Sequence, residues 1–409
     1  MSTKPSSPAL LPNGEGSTDL ITAHKQLWKY CRAHGYAGYD PFDGLNSRLF
    51  QSTPLKRARA ARLAWIQFHK RSPINFRSLV RIPRERNAKA IALFALAALA
   101  DFRRNPTKEN EIEARELLDD LIWMGLKGFK GACWGYNFDW QSRSFFVPRG
   151  TPTIVATAFA ARALCEAAVV LSRDEYLPFA RTICDFILND LNRPEAASDE
   201  VCFSYSPLDQ TRVFNASLFA GEVLATVGSL SQEQSLIDWG HRAALYVARR
   251  QQADGSWAYG ADSHQTWSDN FHTAYVLDSL SRIINSSQVG AGQGADPDFS
   301  SVLRRGYDFW AERFFLTNGW PKYFPDRLYP VDVHSAASAI VALVELRGRI
   351  PNTLMLAEQI ANWAIQNLRN EAGFFYYQQR RFFKVRIPYT RWSEAWMMYA
   401  LARLREARQ

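Results

Sequence analysis

The 409-residue sequence predicts an all-α (α/α)6 toroid, a double ring of six inner and six outer helices with short β-hairpins at one rim. Three observations predict this fold. Six Ala- and Leu-rich stretches recur at a spacing of about sixty residues, a more charged helical stretch lies between successive ones, and an aromatic cluster precedes five of them. Repeats of this kind cannot bury their apolar faces alone, so they stack, and six of them can close into a ring. An open solenoid is disfavoured because no polar capping helix ends the chain.

The inner helices are predicted by segments such as AIALFALAALADF and HSAASAIVALVEL, which are apolar around most of the helix circumference. These segments begin near residues 87, 153, 215, 270, 333 and 391. The outer helices are predicted by stretches with one apolar face, at 110–126, 174–191, 232–251, 298–316 and 353–369, with an opening helix at 20–33 or 57–71. We expect a flexible tail over 1–18, an N-terminal helical region over 19–86, and the repeats that complete the toroid over 87–409.

The segments that connect outer to inner helices share aromatic residues at period-two spacing, which predicts short hairpin strands. Trp134, Tyr136 and Asp139 form one such cluster. The others are centred on Phe203 and Tyr205, on Trp257 and Tyr259, on Trp320 and Tyr323, and on Phe375 to Tyr377. Because each segment leads from an outer helix to an inner one, all five lie at the same end of the toroid. They should form the rim of a central cavity.

The composition, with 47% hydrophobic and 22% charged residues, is that of a globular protein and excludes a mostly disordered chain. The longest uncharged apolar stretch, residues 90–100, is too short to cross a bilayer, and no signal peptide is recognisable, so we expect a cytoplasmic protein. The five cysteines are scattered and form no CxxC pair, which indicates neither a disulfide framework nor a zinc site.

A basic segment, residues 56–89, carries eleven Lys and Arg residues against one acid, Glu85, while the whole chain has a formal charge of +9. Such a block attracts nucleic acid, an anionic membrane face, or an acidic or phosphate-bearing substrate. Nucleic acid is disfavoured because no nucleic-acid-binding motif is present. Trp65 and its apolar neighbours would suit peripheral contact with an inner membrane. A solvated helix face is the simplest alternative.

Polar residues at the starts of the predicted inner helices are the candidates for chemistry, because helix N-termini favour anionic or oxygen-rich ligands. N-capping is the competing interpretation for each of them. His272 and His334 stand out because each follows an aspartate, Asp269 or Asp332, in the first turn of equivalent helices. The remaining candidates of this kind are Asn215, Asn270, Arg391, Trp392 and Glu394.

Aromatic rings that carry a hydroxyl or indole N–H suit a ligand with apolar faces and polar edges, such as a sugar. The rings expected near the cavity include Trp134, Tyr136, Tyr205, Trp257, Tyr259, Trp267, Tyr323 and Trp392. Basic residues could hold a carboxylate or phosphate of the ligand through charge-assisted hydrogen bonds. The candidates are Arg143, Lys322, Arg327, Arg386 and Arg391.

Several motifs resemble known toroid families. Residues 251–257, QQADGSW, resemble the Gln-Trp repeat of terpenoid cyclases and prenyltransferase-like toroids, although the DxDD acid of squalene-type cyclases and a zinc-ligand set are missing. SDNFHTAYVLDSL resembles inner helices of six-hairpin glycosidase-like and uronyl-epimerase domains. YDPFDGLNS, WGYNFDWQSR, GTPTIVATAF, PVDVHSAASAI and IPYTRWSEAWM together resemble a family of bacterial toroids from surface-polysaccharide gene clusters, sometimes labelled delta-aminolevulinic acid dehydratase. That label finds no support in the sequence, because the enzyme it names is a β/α barrel with Schiff-base lysines.

The resemblance implies a carbohydrate-active enzyme of surface polysaccharide or lipopolysaccharide biosynthesis, acting on an anionic or lipid-linked sugar and needing no cofactor or metal. Two mechanisms fit. In one, His272 or His334 removes a proton beside a sugar carboxylate, Arg391 or Arg386 stabilises the charge, and Tyr389 returns a proton. In the other, two carboxyl groups among Asp269, Asp332 and Glu394 cleave a glycosidic bond. A glycan-binding or scaffold protein without catalysis is the rival from another class.

Overall fold

The computed structural model describes residues 15–141, 146–173, 175–286 and 298–409, and these ranges form the predicted double ring. The inner helices are α4 (Ala88–Arg104), α6 (Ile154–Val170), α8 (Phe214–Ser231), α10 (Asn270–Ser286), α12 (Val333–Glu345) and α14 (Ala395–Ala407). Each packs against the next, and α14 packs against α4. The ring is therefore closed, and the (α/α)6 prediction is confirmed.

The outer layer alternates with the inner one along the chain. It comprises α1 (Glu15–Ala33), α5 (Lys108–Trp123), α7 (Tyr176–Asn189), α9 (Gln234–Ala248), α11 (Phe299–Phe314) and α13 (Thr353–Leu368). Of the two candidates for the opening outer helix, α1 takes that place, because it packs against α13 and α14. Most of the predicted tail, residues 1–14, lies outside the described residues. The short α2 (Arg48–Gln51) and the longer α3 (Arg59–Arg71) precede the first inner helix.

The inner helices are buried because their sequences leave no polar stripe for solvent. From Ala88 to Ala100 every residue of α4 is buried. Capping side chains satisfy the first free N–H groups of several inner helices. Asn87 accepts hydrogen bonds from the backbone N–H groups of Lys89 and Ala90, and Thr153 accepts one from Ala156. Among the described helices, none is both long enough and apolar enough to span a membrane.

Each strand has only two residues, and the strands do not coincide with the aromatic clusters. β1 (Trp140–Gln141) pairs with β2 (Phe146–Val147), while β4 (Gln378–Gln379) lies between β3 (Val331–Asp332) and β5 (Lys384–Val385), all antiparallel. The aromatic clusters themselves are held by single bridges, such as Gly135 with Pro152. Short antiparallel hairpins are therefore present, as predicted, although the pairing near several clusters is limited to isolated bridges.

The Gln-Trp segment ties three elements together. Gln251 Nε2 donates to the carbonyl of Val302 in α11 at 2.9 Å, and Trp257 Nε1 donates to that of Val247 in α9 at 3.0 Å. The Trp257 ring lies directly against Gly306 of α11, where an added Cβ would come within 2.4 Å of ring carbon Cζ3. Trp257 is therefore a packing residue.

We expect Gly306→Ala to lower the free energy of unfolding by about 1–3 kcal/mol, as overpacking of a core does. The contact is so close that this cost exceeds the gain in helix propensity, which is about 1 kcal/mol. Urea unfolding followed by circular dichroism measures the change. Gly348→Ala is the matched control, because a Cβ at Gly348 meets nothing within 4 Å. Equal destabilisation of the two variants would contradict the expectation.

Candidate active site

A cavity of about 850 Å³ opens at the end of the toroid where the inner helices begin. Its wall is rich in aromatic side chains that combine an apolar face with a polar edge. Tyr259 and Trp267 are stacked with ring centroids 4.6 Å apart, and the hydroxyl oxygens of Tyr136 and Tyr205 are 3.0 Å apart. The other aromatic lining residues are Phe42, Phe138, Trp140, Phe271, Tyr275, Tyr323, Phe324 and Trp392. Such a cavity suits a ligand with apolar faces and polar edges.

The floor of the cavity is built by one side chain from the start of each inner helix. These six residues stand two or three positions after the residue that precedes the helix, or its opening π-turn, so the repeat brings them to equivalent places. All six line the cavity, and five of them are polar or ionisable. They are Lys89, Val155, Asn215, His272, His334 and Arg391.

His272 forms a pair with Asp269. Its Nδ1 lies 2.7 Å from Asp269 Oδ2, and the other carboxylate oxygen accepts the backbone N–H of His272 at 3.1 Å. Trp267 Nε1 donates to the same carboxylate at 3.2 Å. The carboxylate therefore fixes the tautomer with the proton on Nδ1 and leaves the lone pair on Nε2. No described residue makes a hydrogen bond to that Nε2, and the His272 side chain remains 23% exposed.

His334 belongs to a buried chain of hydrogen bonds. Its Nε2 lies 2.5 Å from the hydroxyl of Tyr275, and Lys89 Nζ lies 3.5 Å from that same hydroxyl. The His334 ring stacks on Trp392, with its Nδ1 3.3 Å from the Trp392 carbonyl. Burial, and then the nearby Lys89, hold the pKa of His334 well below its ordinary value, and burial does the same to the pKa of Lys89. A neutral imidazole can accept the tyrosine proton, so Lys89, Tyr275 and His334 can hold and pass one proton.

Asp332 is buried and accepts three hydrogen bonds. They come from Trp392 Nε1 at 2.8 Å, from the His334 backbone at 3.0 Å and from Gln378 Nε2 at 3.2 Å. Burial outweighs these donors and raises the pKa of Asp332 to about 6. Lys70 of α3 also lines the cavity, and burial lowers its pKa to about 8.

Arg391 is already paired. Its Nε and Nη2 donate to the two oxygens of Asp40 at 2.6 and 2.8 Å, a bidentate arrangement inside the protein. The guanidinium lies 4.9 Å from the centroid of the Tyr136 ring. We therefore assign Arg391 mainly to the support of the cavity wall, because its hydrogen-bonding edge is occupied by Asp40.

Two predicted catalytic residues lie outside the cavity wall. Tyr389 is fully buried, its hydroxyl donates to the His69 carbonyl at 3.4 Å, and the Arg77 guanidinium lies over its ring. Glu394 is buried next to a separate cavity of about 120 Å³, and its Oε2 accepts the backbone N–H of Phe375 at 3.2 Å. Glu394 is the last residue of a π-turn over Thr390–Glu394. These two assignments are corrected.

Other predicted binding residues have structural partners. Trp134 Nε1 donates to the Leu121 carbonyl, as Trp257 does to Val247, and both rings are buried. Asn270 Nδ2 donates to the Lys322 carbonyl, and Asn270 Oδ1 accepts a hydrogen bond from Trp310 Nε1. Lys322 Nζ donates to the Pro325 carbonyl. Asp139 accepts the Arg149 backbone, and Arg386 lies over Tyr376. Arg143 lies outside the described residues.

Several residues at the cavity are not among the site residues that the sequence predicts. Lys89 had a recognisable signal, because it is the only charged residue in the buried part of α4 and matches His272 and His334 in the repeat. Tyr275 follows His272 by one helical turn. Gln265 and Gln378 are buried amides of connecting segments, and no pattern marked them. Asp40 reaches Arg391 across 351 residues of sequence.

Solved structures with the same architecture include sugar-processing enzymes. A cellobiose 2-epimerase from Bacillus thermoamylovorans B4167 superposes with a TM-score of 0.60 at 12% identity, covering 80% of this chain and 90% of that one. An unsaturated glucuronyl hydrolase specific for heparin gives a TM-score of 0.60 at 13% identity, covering 96% and 97%. A D-mannose isomerase gives 0.57 at 12% identity, covering 78% and 87%.

No family model matches the chain, and no curated protein matches it in sequence. At identities near 12% the structural likeness establishes the fold and leaves the chemistry to the site itself. The chain therefore has the (α/α)6 toroid fold that these solved structures share.

Proposed function

We propose that the protein is an enzyme that acts on a carbohydrate by proton transfer at a carbon atom, as an epimerase or a lyase does. The observation that carries the proposal is the Asp269–His272 pair in the wall of an aromatic cavity. Aromatic walls and buried amides suit a sugar ring. Enzymes that epimerise, isomerise, hydrolyse or cleave sugars share this fold, which supports the substrate class without selecting the reaction.

In this proposal His272 Nε2 is the general base. It takes a proton from a carbon next to a carbonyl or carboxylate group of the sugar, and the electron pair moves onto that group as an enolate. Asp269 holds the imidazole in the required tautomer and stabilises the imidazolium that forms. The reaction then completes in one of two ways: a proton returns to the opposite face, which is epimerisation, or the bond to the leaving group breaks, which is elimination.

The proton-returning group in this proposal is Tyr275, supported by His334 and Lys89. Tyr275 lies one turn after His272 on α10, and the two ring centroids are 6.2 Å apart. Its hydroxyl contacts both His334 Nε2 and Lys89 Nζ, so a proton given to the substrate can be replaced from Lys89. Tyr275 therefore takes the role that the sequence assigned to Tyr389, and His334 becomes a positioning residue.

Glycoside hydrolysis is the second candidate, and the pKa of Asp332 favours it. A carboxyl group with a pKa of about 6 keeps its proton closer to neutrality than an ordinary aspartate and can act as an acid, with Asp269 as the second carboxylate. This activity would fall as the pH rises above about 6, because the acid loses its proton. Glycan binding without catalysis is the third candidate.

The biological setting is a proposal that depends on the sequence resemblance. It places the substrate in bacterial surface polysaccharide or lipopolysaccharide biosynthesis, in the cytoplasm. Contact with a membrane or a lipid-linked glycan through residues 56–89 stays a prediction. Part of that basic segment has other partners, because Lys70, Arg71 and Lys89 line the cavity and Arg77 pairs with Asp43.

Deuterium incorporation tests the proposal. We expect the purified protein in heavy water to place deuterium on a ring carbon of at least one sugar from a panel of aldoses and uronates, detected by NMR and mass spectrometry. A lyase would instead release an unsaturated sugar, recognised by the ultraviolet absorbance of its new double bond. New reducing ends with neither carbon-bound deuterium nor that double bond would support the hydrolase. The panel also includes uronate-containing oligosaccharides. If none of these sugars is labelled or cleaved, the proton-transfer proposal fails.

A further inference from the structure

Three cationic side chains of the cavity wall have no acidic partner. Lys70 and Arg71 end α3, and Arg380 follows β4. Across the described ranges, none of these three side chains makes an ion pair or a hydrogen bond. Arg380 Nε is buried without any hydrogen-bond partner. The Lys70 ammonium contacts only rings, lying 4.3 Å from the centroid of Phe42 and 5.9 Å from that of Trp392.

Two other arginines of the same cavity are paired with carboxylates. Arg391 binds Asp40 through two hydrogen bonds, and Arg327 binds the neighbouring Asp326. With the Tyr275 hydroxyl as the partner of Lys89, a polar partner for each cation is the pattern here. The side of the cavity formed by α3 and the β4–β5 hairpin departs from it.

The three cations are close enough to repel one another. Burial is the largest cause that lowers the pKa of Lys70; Asp332 and Asp40 oppose it, and Arg71 and Arg380 add to it. Burial also lowers the pKa of Arg380, Tyr377 opposes it, and Arg71 adds to it. Asp332 and Asp40 attract Lys70, but both carboxylates already accept hydrogen bonds from other groups. Like charges gathered in a partly buried site are unfavourable unless an anion joins them.

Buried polar atoms of the same cavity lining indicate what else the ligand carries. Gln378 is 4% exposed, lines the cavity, and has an Oε1 with no hydrogen-bond partner. Gln265 is 1% exposed, and neither polar atom of its amide has a partner. Buried polar groups left unpaired are costly, so groups of this kind in a cavity indicate ligand hydroxyls that pair with them.

We infer that Lys70, Arg71 and Arg380 form an anion subsite that binds the carboxylate or phosphate of a negatively charged sugar. A planar guanidinium can bind either group through two hydrogen bonds, and an ammonium adds a compact charge. Gln378 then accepts a hydroxyl of the same sugar. The inference rests on the proposed function for the statement that the ligand is a sugar.

Titration calorimetry at low salt tests the subsite with D-glucuronate, D-glucose 6-phosphate and D-glucose. We expect at least one charged sugar to bind about tenfold or more tightly than D-glucose, since a charge-assisted hydrogen bond contributes that much. Tight binding of D-glucuronate indicates a preference for carboxylate, and tight binding of D-glucose 6-phosphate indicates a preference for phosphate. Arg380→Gln and Lys70→Met should each remove most of the difference. Arg381→Gln is the matched control, because the adjacent Arg381 lies over Phe382 outside the cavity wall.

The outcomes separate this inference from the proposed function. If neither charged sugar binds more tightly than D-glucose, the subsite is wrong. It is equally wrong if a folded Arg380→Gln or Lys70→Met variant binds the charged sugars as well as Arg381→Gln does. If charged sugars bind through these residues but no sugar exchanges deuterium or is cleaved, the subsite stands and the enzymatic proposal fails.

Discussion

Replacing His272 with asparagine is expected to reduce deuterium exchange into the sugar by a factor of about 10²–10⁴, the usual contribution of a general base. Asparagine is smaller than histidine, but its Nδ2 can occupy the place of the imidazole Nδ1 and still donate to Asp269. It has no basic nitrogen that can take the proton from carbon. Sugar affinity and thermal unfolding should change little, because the side chain is partly exposed and its capping contacts come from Asp269. NMR exchange rates, calorimetry and thermal melts measure the three quantities.

His241→Asn is the matched control for this experiment. His241 lies on the outer helix α9 with its ring against Phe299, remote from the cavity lining. It should keep the exchange rate of the unmodified protein. An exchange rate in His272→Asn within a few-fold of that control would remove His272 from the mechanism and leave Tyr275 and His334 to be tested as the base.

Replacing Arg162 with methionine is expected to lower the free energy of unfolding by about 3–5 kcal/mol, the cost of leaving buried charges unpaired. Arg162 of α6 binds Glu222 of α8 at 2.5 Å and Asp278 of α10 at 2.6 Å, so one guanidinium joins three inner helices. Both carboxylates are almost fully buried. Without Arg162 they keep Arg282, which is 3.2 Å from Asp278 and 3.8 Å from Glu222, and Glu222 keeps the hydroxyl of Ser279.

The pH dependence of this loss follows from Asp278. Burial alone would raise its pKa, but Arg162 and Arg282 bring the pKa below its ordinary value. A carboxylate with a lowered pKa stabilises the folded state above the pKa that it has when unfolded, and this stabilisation is lost as the pH falls. The gap between the unmodified protein and Arg162→Met should therefore shrink below pH about 4.

Urea unfolding at several pH values measures both effects. Arg115→Met is the control, because Arg115 makes an exposed pair with Glu111 at 3.9 Å, and such pairs contribute less than about 1 kcal/mol. A loss in Arg162→Met no larger than in this control would show that the buried cluster does not hold the inner ring together.

The fold could be predicted because its signal is repeated. Long runs of Ala and Leu indicate that the inner helices are buried. A spacing of about sixty residues between these runs indicates a repeated pair of helices. The roles of α1 and α3 could not be told apart, because both are amphipathic and basic at one end. Only the packing of α1 against α13 and α14 separates the outer helix from the helix that borders the cavity.

The sequence repeat predicts the part of the candidate site that lies at the starts of the inner helices. His272, His334, Asn215 and Arg391 could be proposed because each stands at the start of an inner helix, and all four line the cavity. Glu394 does not line it and ends a π-turn, a local geometry that the spacing of the repeat does not reveal. Local turn geometry of this kind is set by tertiary packing.

The basic segment shows a second limit of sequence reasoning. Its charges were interpreted together, as a surface for polyanions, because their partners are remote in the chain. In the folded protein they separate: Arg77 pairs with Asp43, Lys89 lies on the cavity floor, and Lys70 with Arg71 borders the cavity. Net charge predicts attraction to anions, but it does not tell which charges face solvent and which face a ligand.

The six equivalent floor positions have a consequence for how chemistry can change in such a protein. Each helix contributes one tip residue, while the rest of that helix holds the scaffold, so a tip residue can be exchanged while the helix behind it stays the same. Val155 is the one tip that carries no functional group in this chain. Closely related scaffolds can thus diverge in catalysis through a handful of exchanges, with the architecture inherited unchanged.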